Sequence, residues 1–437
     1  MLQSKTSYHD QMAYLYPPKN ENSHVRDITI QVTENCNLCC SYCYQVNKTI
    51  NAMDFETAKQ FIDILFDNRE DPDAYYNIYN TCGFVINFIG GEPLLEIDLI
   101  DKIIEYTESR VLELKDDLWL YTHCYNFSTN GTLYFEPKVE AFREKWGPLV
   151  SMSITVDGNK ELHDSCRVFP NGKGSYDLAA RASWNELIKG HDASKITISP
   201  NNVSYIFEGI KHFINKGHRF VEANCVFEDV WNKESALELY NQLIKLSDWI
   251  TENNLYDKIF VALLDVKKYT KTPEHMLNHN WCGVGKGGMS ALDYTGKIYP
   301  CIRFMPSSSE KDIPLLTIGD INNGYLNTER DKENFNLLKQ CTRKNLEPEE
   351  CLKCPISSGC SWCSGQVYEH YNGNFTQKTT FICDTHKMSA LATKYLAKIN
   401  NDKKSYDLIQ LDYCMYEDLI NKEDFDKINK WKEEEDQ

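Results

Sequence analysis

The chain has 437 residues, 64 acidic against 47 basic side chains, a net charge of −17 at pH 7 and a 42% hydrophobic composition. This length allows two or three domains, each with its own core. The charge excludes nucleic acid as an expected partner, because phosphates need cations to neutralise them.

Apolar runs at 28–32, 84–89, 125–129, 151–156, 196–199 and 220–226 read as strands, with helix-period stretches at 55–67, 97–116, 136–145, 176–189 and 203–216 between them. Such alternation predicts repeated βαβ units and a parallel sheet. Six units predict an α/β fold: a partial, open (β/α)6 TIM-like barrel whose chemistry sits at the C-terminal ends of the strands. A further helix is expected at 234–254 and a strand at 259–266. After Thr272 Gly, Pro, Ser and Cys rise, periodicity fades, and 305–314 reads as a surface loop. Beyond 387 the pattern is helical and charged, and past about 430 the tail is expected to fray. The domain reading is an N-terminal segment 1–25, a barrel 26–233, a bridging helix and strand 234–275, a cysteine-organised domain 276–386 and a helical tail 387–437. No run approaches the roughly 20 apolar residues of a membrane span. The N-terminus lacks a basic stretch followed by an apolar one. No membrane partner and a cytoplasmic location are therefore expected.

The 17 cysteines carry the strongest signal. Disulfide frameworks belong to small secreted chains, so dense clusters here point to metal. Directly after the first strand, Cys36, Cys40 and Cys43 are spaced C-x3-C-x2-C, with Tyr42 before the last of them. Three thiolates on one loop can hold three irons of a cubane cluster and leave the fourth open to a small molecule. A structural zinc site would want four ligands. Cys39 breaks the spacing and reads as a bystander. The second strand ends in Gly90-Gly91-Glu92-Pro93. Its glycines let backbone approach a ligand, and Glu92 can meet an ammonium group.

The cysteine trio followed one strand later by Gly-Gly-Glu-Pro resembles the radical S-adenosylmethionine superfamily. That resemblance covers about 26–230 and implies a [4Fe-4S] cluster on Cys36, Cys40 and Cys43, the catalytic residues of this reading. It implies S-adenosylmethionine contacts from Tyr42, Gly90, Gly91, Glu92 and Pro93, from Ser128 and Asn130 at the third strand end, and from Ser153 at the fourth. Arg167 and Arg181 compete for the cofactor carboxylate or the substrate. A reduced cluster would cleave S-adenosylmethionine to a 5′-deoxyadenosyl radical, which removes a hydrogen atom from an unactivated C–H bond.

Downstream, Cys282, Cys301, Cys351, Cys354, Cys360, Cys363 and Cys383 resemble the SPASM extension, which implies two auxiliary clusters and three [4Fe-4S] clusters in all. Two residues, where the family usually shows three, separate Cys360 from Cys363. By resemblance Cys351, Cys354, Cys360 and Cys383 complete one cluster, while Cys282, Cys301 and Cys363 leave an iron of the other short. Where some relatives carry an eighth cysteine, this chain has Gly288. Cys341 is one candidate for the gap; a substrate thiolate on an open iron is the other. The remaining Cys39, Cys82, Cys124, Cys166, Cys225 and Cys414 read as small buried hydrophobes.

Relatives with this extension mostly act on peptides or proteins. The sulfatase-maturase branch carries an aspartate after the cysteine of its G-x4-C element, where this chain has Ile302 and Arg303. The expected function is therefore a maturase of ribosomally made peptides that installs a cross-link, a cysteine thioether above all. Formylglycine formation and dehydrogenation of a small molecule are the alternatives. The partners implied are a precursor peptide, cysteine-rich for a thioether, and a flavodoxin- or ferredoxin-type reductant. With a short stretch before the first strand, leader recognition is expected from another surface, a separate protein or the C-terminal helices.

Overall fold

The computed structural model describes residues 24–77, 79, 81–114, 118–190, 194–280, 282, 284–285 and 289–431. Most of the N-terminal segment, Gly288 and the tail expected to fray lie outside them. Strands β1 (His24–Thr33), β2 (Thr81–Gly90), β3 (His123–Thr129) and β4 (Val150–Ile154) pair in parallel in that order. Their connections carry α1 (Phe55–Asp67), α2 (Ile97–Leu112) and α3 (Pro137–Trp146). The sequence then forms α4 (Lys160–Cys166), α5 (Tyr176–Ile188), β5 (Ser194–Ile198), α6 (Ile206–Asn215), β6 (Phe220–Cys225) and α7 (Lys233–Glu252).

Alternation along the strands divides the sheet into two faces. Ile28, Ile30, Ile86, Phe88, Tyr125, Phe127 and Met152 are buried, in register, on the face covered by helices. Their covers are amphipathic at helical spacing: α2 buries Ile97, Ile100, Ile103, Ile104, Thr107 and Val111. Each fully buried aliphatic or aromatic side chain contributes about 1.5–3 kcal/mol. The opposite face is polar. Asn126 donates to Asn87 at 2.9 Å and accepts from Ser153 at 3.4 Å, and Ser128 lies beside Ser153 in register. A parallel sheet ordinarily buries apolar residues on both faces; a polar inner face marks a lined cavity.

Two departures from the sequence expectation concern the sheet. The six β/α units do not share one sheet among the described residues: β5 and β6 pair with β7 (Phe260–Val261) in a separate three-stranded sheet. And β7 is two residues long, not the strand expected over 259–266. Ala262–Leu264 turns into a 3-10 helix whose Leu263 carbonyl accepts from Tyr269 Oη at 2.7 Å and Thr393 Oγ1 at 3.4 Å. The apolar run is buried as a turn against a helix.

The cysteine-rich segment joins the barrel directly. Its strand β8 (Met289–Leu292) pairs in parallel with the open edge of β1, residues Asp27 to Ile30. Strands β9 (Lys297–Tyr299), β10 (Gly319–Asp320) and β11 (Gly324–Tyr325) then extend the sheet with antiparallel pairings. The chain continues through α8 (Glu329–Lys339) and α9 (Ser364–His370) to α10 (Cys383–Ile399), which is tied to α7 where Tyr395 donates to Asp248 at 2.6 Å.

Candidate functional site

The loop bearing Cys36, Cys40 and Cys43 leaves β1 and is tied down on several sides. Glu34 accepts from the backbone and hydroxyl of Thr49, at 3.2 and 2.6 Å, and its own N–H bonds Asn51, which closes the loop at its base. The backbone N–H groups of Cys39 and Ser41 donate to the carbonyls of Val168 and Cys166 at 2.8 and 3.0 Å. On the β2 side, Gly91 and Glu92 donate to Thr33 and Asn35. A Cβ at Gly91 would lie 2.3 Å from the Asn35 carbonyl oxygen, so only glycine allows this approach.

Glu92 is fully buried and spends its carboxylate on the protein. It accepts from Leu94 N at 3.1 Å, Thr129 Oγ1 at 2.5 Å and Asn130 N at 2.7 Å. Burial raises its pKa, and these hydrogen bonds oppose the rise. Asn130 donates in turn to Asn37 at 2.8 Å. Glu92 thus clamps the end of β3 to the cysteine loop.

Tyr42 is the hub of a second anchor. Its hydroxyl donates to the buried Asp157 carboxylate and accepts from Arg167 Nη1 at 2.9 Å. Asp157 also accepts from Thr197 N, and its own N–H donates to His163 Nδ1. Burial, then Arg167 and Lys160, lowers His163 to about 3, so the imidazole is neutral. Arg167 is buried, but Tyr42, Cys40 and Asp157 hold its pKa above the ordinary value. Of the two competing arginines, the structure brings Arg167 to the cysteine loop. Arg181 is exposed on α5 with its guanidinium 3.9 Å over Phe135. Ser128 is exposed and Ser153 half-buried on the polar inner face.

The downstream cysteines form two groups. Cys301 is pushed up by burial and by its neighbours Cys363 and Cys282. Cys341, fully buried and donating to Ser364 at 3.4 Å, is pushed up to about 12 by burial, with Cys282 and Cys363 adding to the rise. Cys383 is raised to about 11 by burial, with Cys360 and Cys351 nearby, and Cys354 also neighbours Cys360. All 17 cysteines are free thiols. Cys82, Cys124 and Cys166 are buried as expected. Cys39, on the first loop, and Cys414, in a 3-10 turn, are exposed, and Cys225, at the end of β6, is half-buried.

Each thiol group also meets buried or half-buried cations. Lys48 lies 3.6 Å from Cys43 Sγ, and Arg167 neighbours Cys40. Arg303 neighbours Cys363 and Cys301. Lys378, 3% exposed, lies 3.6 Å from Cys360 Sγ. Buried thiols resist ionising on their own: burial first, with Cys43 and Cys36 adding and Arg167 opposing, lifts Cys40 to about 11. A donor set of thiols ringed by cations fits an anionic iron–sulfur cluster, whose irons would keep the thiolates charged. Among the described residues no three Cys, His, Asp or Glu side chains converge on a single ion.

Between the first loop, the loop after β6 and the segment around Arg303 opens a cavity of about 570 Å³. Tyr42, Cys43 and Tyr44 line one wall, Glu228 and its neighbours after β6 another, and Arg303, Lys311 and Glu369 the third. The 305–314 loop, expected at the surface, helps to close this space. Glu369 accepts from Ser309 Oγ, Glu310 N and Lys311 N. Sequence reading missed Glu34, Tyr44, Glu228, Glu369 and Lys378; only proximity to motif residues in the fold marks them.

A family model described as a 4Fe-4S single cluster domain matches residues 26–175. The cysteine-type anaerobic sulfatase-maturating enzyme of Clostridium novyi is 22% identical over 81% of this chain and 91% of its own. The mycofactocin maturase of Mycolicibacterium smegmatis is 25% identical over 63% of each chain. In fold, the chain resembles native anSMEcpe with bound AdoMet and Kp18Cys peptide, with TM-score 0.61 and 18% identity over 86% of this chain and 99% of that one. It also resembles Streptococcus suis SuiB bound to precursor peptide SuiA, with TM-score 0.51 and 15% identity over 84% of this chain and 78% of that one. The chain accordingly carries an iron–sulfur cluster domain and is an enzyme related to the anaerobic sulfatase and mycofactocin maturases.

Proposed function

We propose that the protein is a maturase of a ribosomally made peptide and installs a cross-link, a cysteine thioether in the favoured form. The observation that carries this reading is the cavity of about 570 Å³ between Cys43 on one side and Arg303, beside Cys301 and Cys363, on the other. It is large enough for the side chains of a peptide segment. The SuiB likeness, with its bound precursor peptide, supports the substrate class.

In this reading 26–233 form the radical-generating domain, 234–275 bridge it, and 276–386 hold two auxiliary clusters. Cys36, Cys40 and Cys43 would hold the first cluster; Cys351, Cys354, Cys360 and Cys383 a fully ligated one; Cys282, Cys301 and Cys363 the third. When bound, these groups supply one-electron chemistry: a carbon radical source at the first site and electron acceptors at the others. The chain's own residues do the positioning. Glu92 and Asn130 fix the inner face beside the cysteine loop, Arg167 compensates negative charge there, and the polar face of Asn87, Asn126 and Ser153 receives the cofactor's polar groups. The third cluster's remaining position falls to Cys341 or to the substrate sulfur. A reduced flavodoxin or ferredoxin supplies the electron.

Thioether formation breaks one C–H and one S–H bond and forms one C–S bond, so the peptide loses two hydrogens. The test is mass spectrometry of short peptides encoded beside the gene, incubated anaerobically with the reconstituted enzyme, S-adenosylmethionine and reductant. A loss of two hydrogens per cross-link, matched by 5′-deoxyadenosine, is expected. Conversion of a sulfatase cysteine or serine to formylglycine instead would overturn the reading.

A further inference from the structure

Arg303 lies two residues beyond Cys301, inside the 3-10 turn Ile302–Phe304. Its backbone is seated on α9: a Cβ at Gly365 would meet Arg303 Cβ at 2.6 Å and its carbonyl oxygen at 2.7 Å. Close packing therefore sets its position. The guanidinium stands 5.3 Å over the Tyr44 ring and lines both the 570 Å³ cavity and an adjoining one of about 340 Å³.

Among the described residues its side chain makes one hydrogen bond, from Nη2 to Glu228 Oε1 at 3.0 Å. A guanidinium carries five N–H donors in a planar fork, and its strong mode is two parallel bonds to one carboxylate. Most of this fork is uncommitted in a place where solvent reaches little of it. The Arg303 side chain is 16% exposed, whereas Glu228 is 42% exposed. Glu228 can turn to water, and Arg303 cannot. Lys311, an exposed cation on the same cavity wall, instead donates to the carbonyls of Glu369 and His370 at 3.2 and 3.3 Å.

We infer that Arg303 is a specificity contact that takes the side-chain carboxylate of an acidic residue in the substrate peptide, with Glu228 as the placeholder it displaces. The inference rests on the peptide-maturase reading and names a property of its substrate: an Asp or Glu beside the residue that enters the cavity next to Cys43.

The test is a binding measurement on the full-length, anaerobically reconstituted enzyme with S-adenosylmethionine and no reductant. The probe is a fluorescein-labelled, C-terminally amidated Gly/Ser nonapeptide with a central Asp-Cys pair, compared by anisotropy with its Asn-Cys twin. The Asp probe is expected to bind about tenfold tighter, the scale of one charge-assisted contact. Arg303→Gln should erase that ratio and Arg303→Lys restore part of it. Glu228→Gln should tighten the Asp probe severalfold, an effect that misfolding cannot imitate. Equal binding of the two probes, or a ratio that survives Arg303→Gln, overturns the inference. So does an Asn-Cys probe with a free C-terminal carboxylate that binds as well as the amidated Asp probe. The ratio is read without turnover, so it stands or falls separately from the cross-linking product.

Discussion

The loop of Cys36, Cys40 and Cys43 is held by hydrogen bonds from the ends of three strands, with a large apolar core beneath it. The stretch bearing Cys351, Cys354, Cys360 and Cys383 instead has short helices and, among the described residues, neighbours two small core clusters of four buried members each, one with Cys341, Leu346, Trp362 and Val367 and one with Tyr269, Ile356, Ala390 and Ile409. In the first region the fold prepares a place for a cluster. In the second a cluster would supply much of the cohesion itself, as metal does in small domains with thin cores.

Paired cysteine substitutions would break this comparison most sharply. Cys40→Ala should lower S-adenosylmethionine cleavage by at least roughly 10³-fold, while thermal unfolding moves by only about 1–2 °C. Cys360→Ala should remove about four irons and lower the melting temperature clearly, with new protease cuts confined to 340–383. Equal melting shifts in the two variants would refute the contrast.

Next in size is the buried charge at the first site. Arg167→Leu leaves the Asp157 carboxylate without its cation and should cost about 3–5 kcal/mol in denaturant unfolding. An unchanged midpoint would show that Tyr42 and Thr197 alone satisfy that carboxylate.

Acid sensitivity sharpens the comparison further, since each region holds a histidine whose pKa is lowered. Burial lowers His163 to about 3 and His386 to about 4. The unfolded chain protonates both near 6.5, so it binds protons that the folded chain does not. Stability should therefore fall as pH drops below about 6.5, by about 1.4 kcal/mol per unit for each histidine. His163→Gln should flatten that slope when unfolding is followed through the barrel's signals, and His386→Gln when it is followed through the auxiliary region's.

The smallest effect belongs to Arg181. An exposed stacking contact over Phe135 is worth about 0.5–1 kcal/mol. Arg181→Ala should leave S-adenosylmethionine affinity unchanged by equilibrium dialysis; a large loss would return this residue to the cofactor site.

Much of the barrel was legible because strand and helix periods differ: the six apolar runs fall on β1 to β6 within a few residues. The run at 259–266 was not, because a short apolar stretch looks the same in a buried strand and in a turn packed under a helix. The cysteine spacing marked the first loop as a candidate cluster site, and the family resemblance marked the downstream cysteines as two further candidates. The choice between Arg167 and Arg181 lay beyond sequence. It depends on the carbonyls of Cys166 and Val168 pairing with the cysteine loop, a contact between segments more than a hundred residues apart. The union of β1 with β8 was hidden for the same reason, since no local pattern announces which distant strand will cover an edge.

That union also sets a schedule for synthesis. The edge of β1 is covered by residues about 260 positions later in the chain. At roughly 5–20 residues per second, a ribosome needs tens of seconds to deliver them. During that time the strand that feeds the loop of Cys36, Cys40 and Cys43 presents an unpaired edge to the cell, the kind of surface that templates aggregation. A nascent chain of this design depends on β2 pairing early and on an escort for the other side. The sheet ties the first cysteine loop to the downstream segment only once β8 is made, about two-thirds of the way through translation, and Cys351 to Cys383 follow later still.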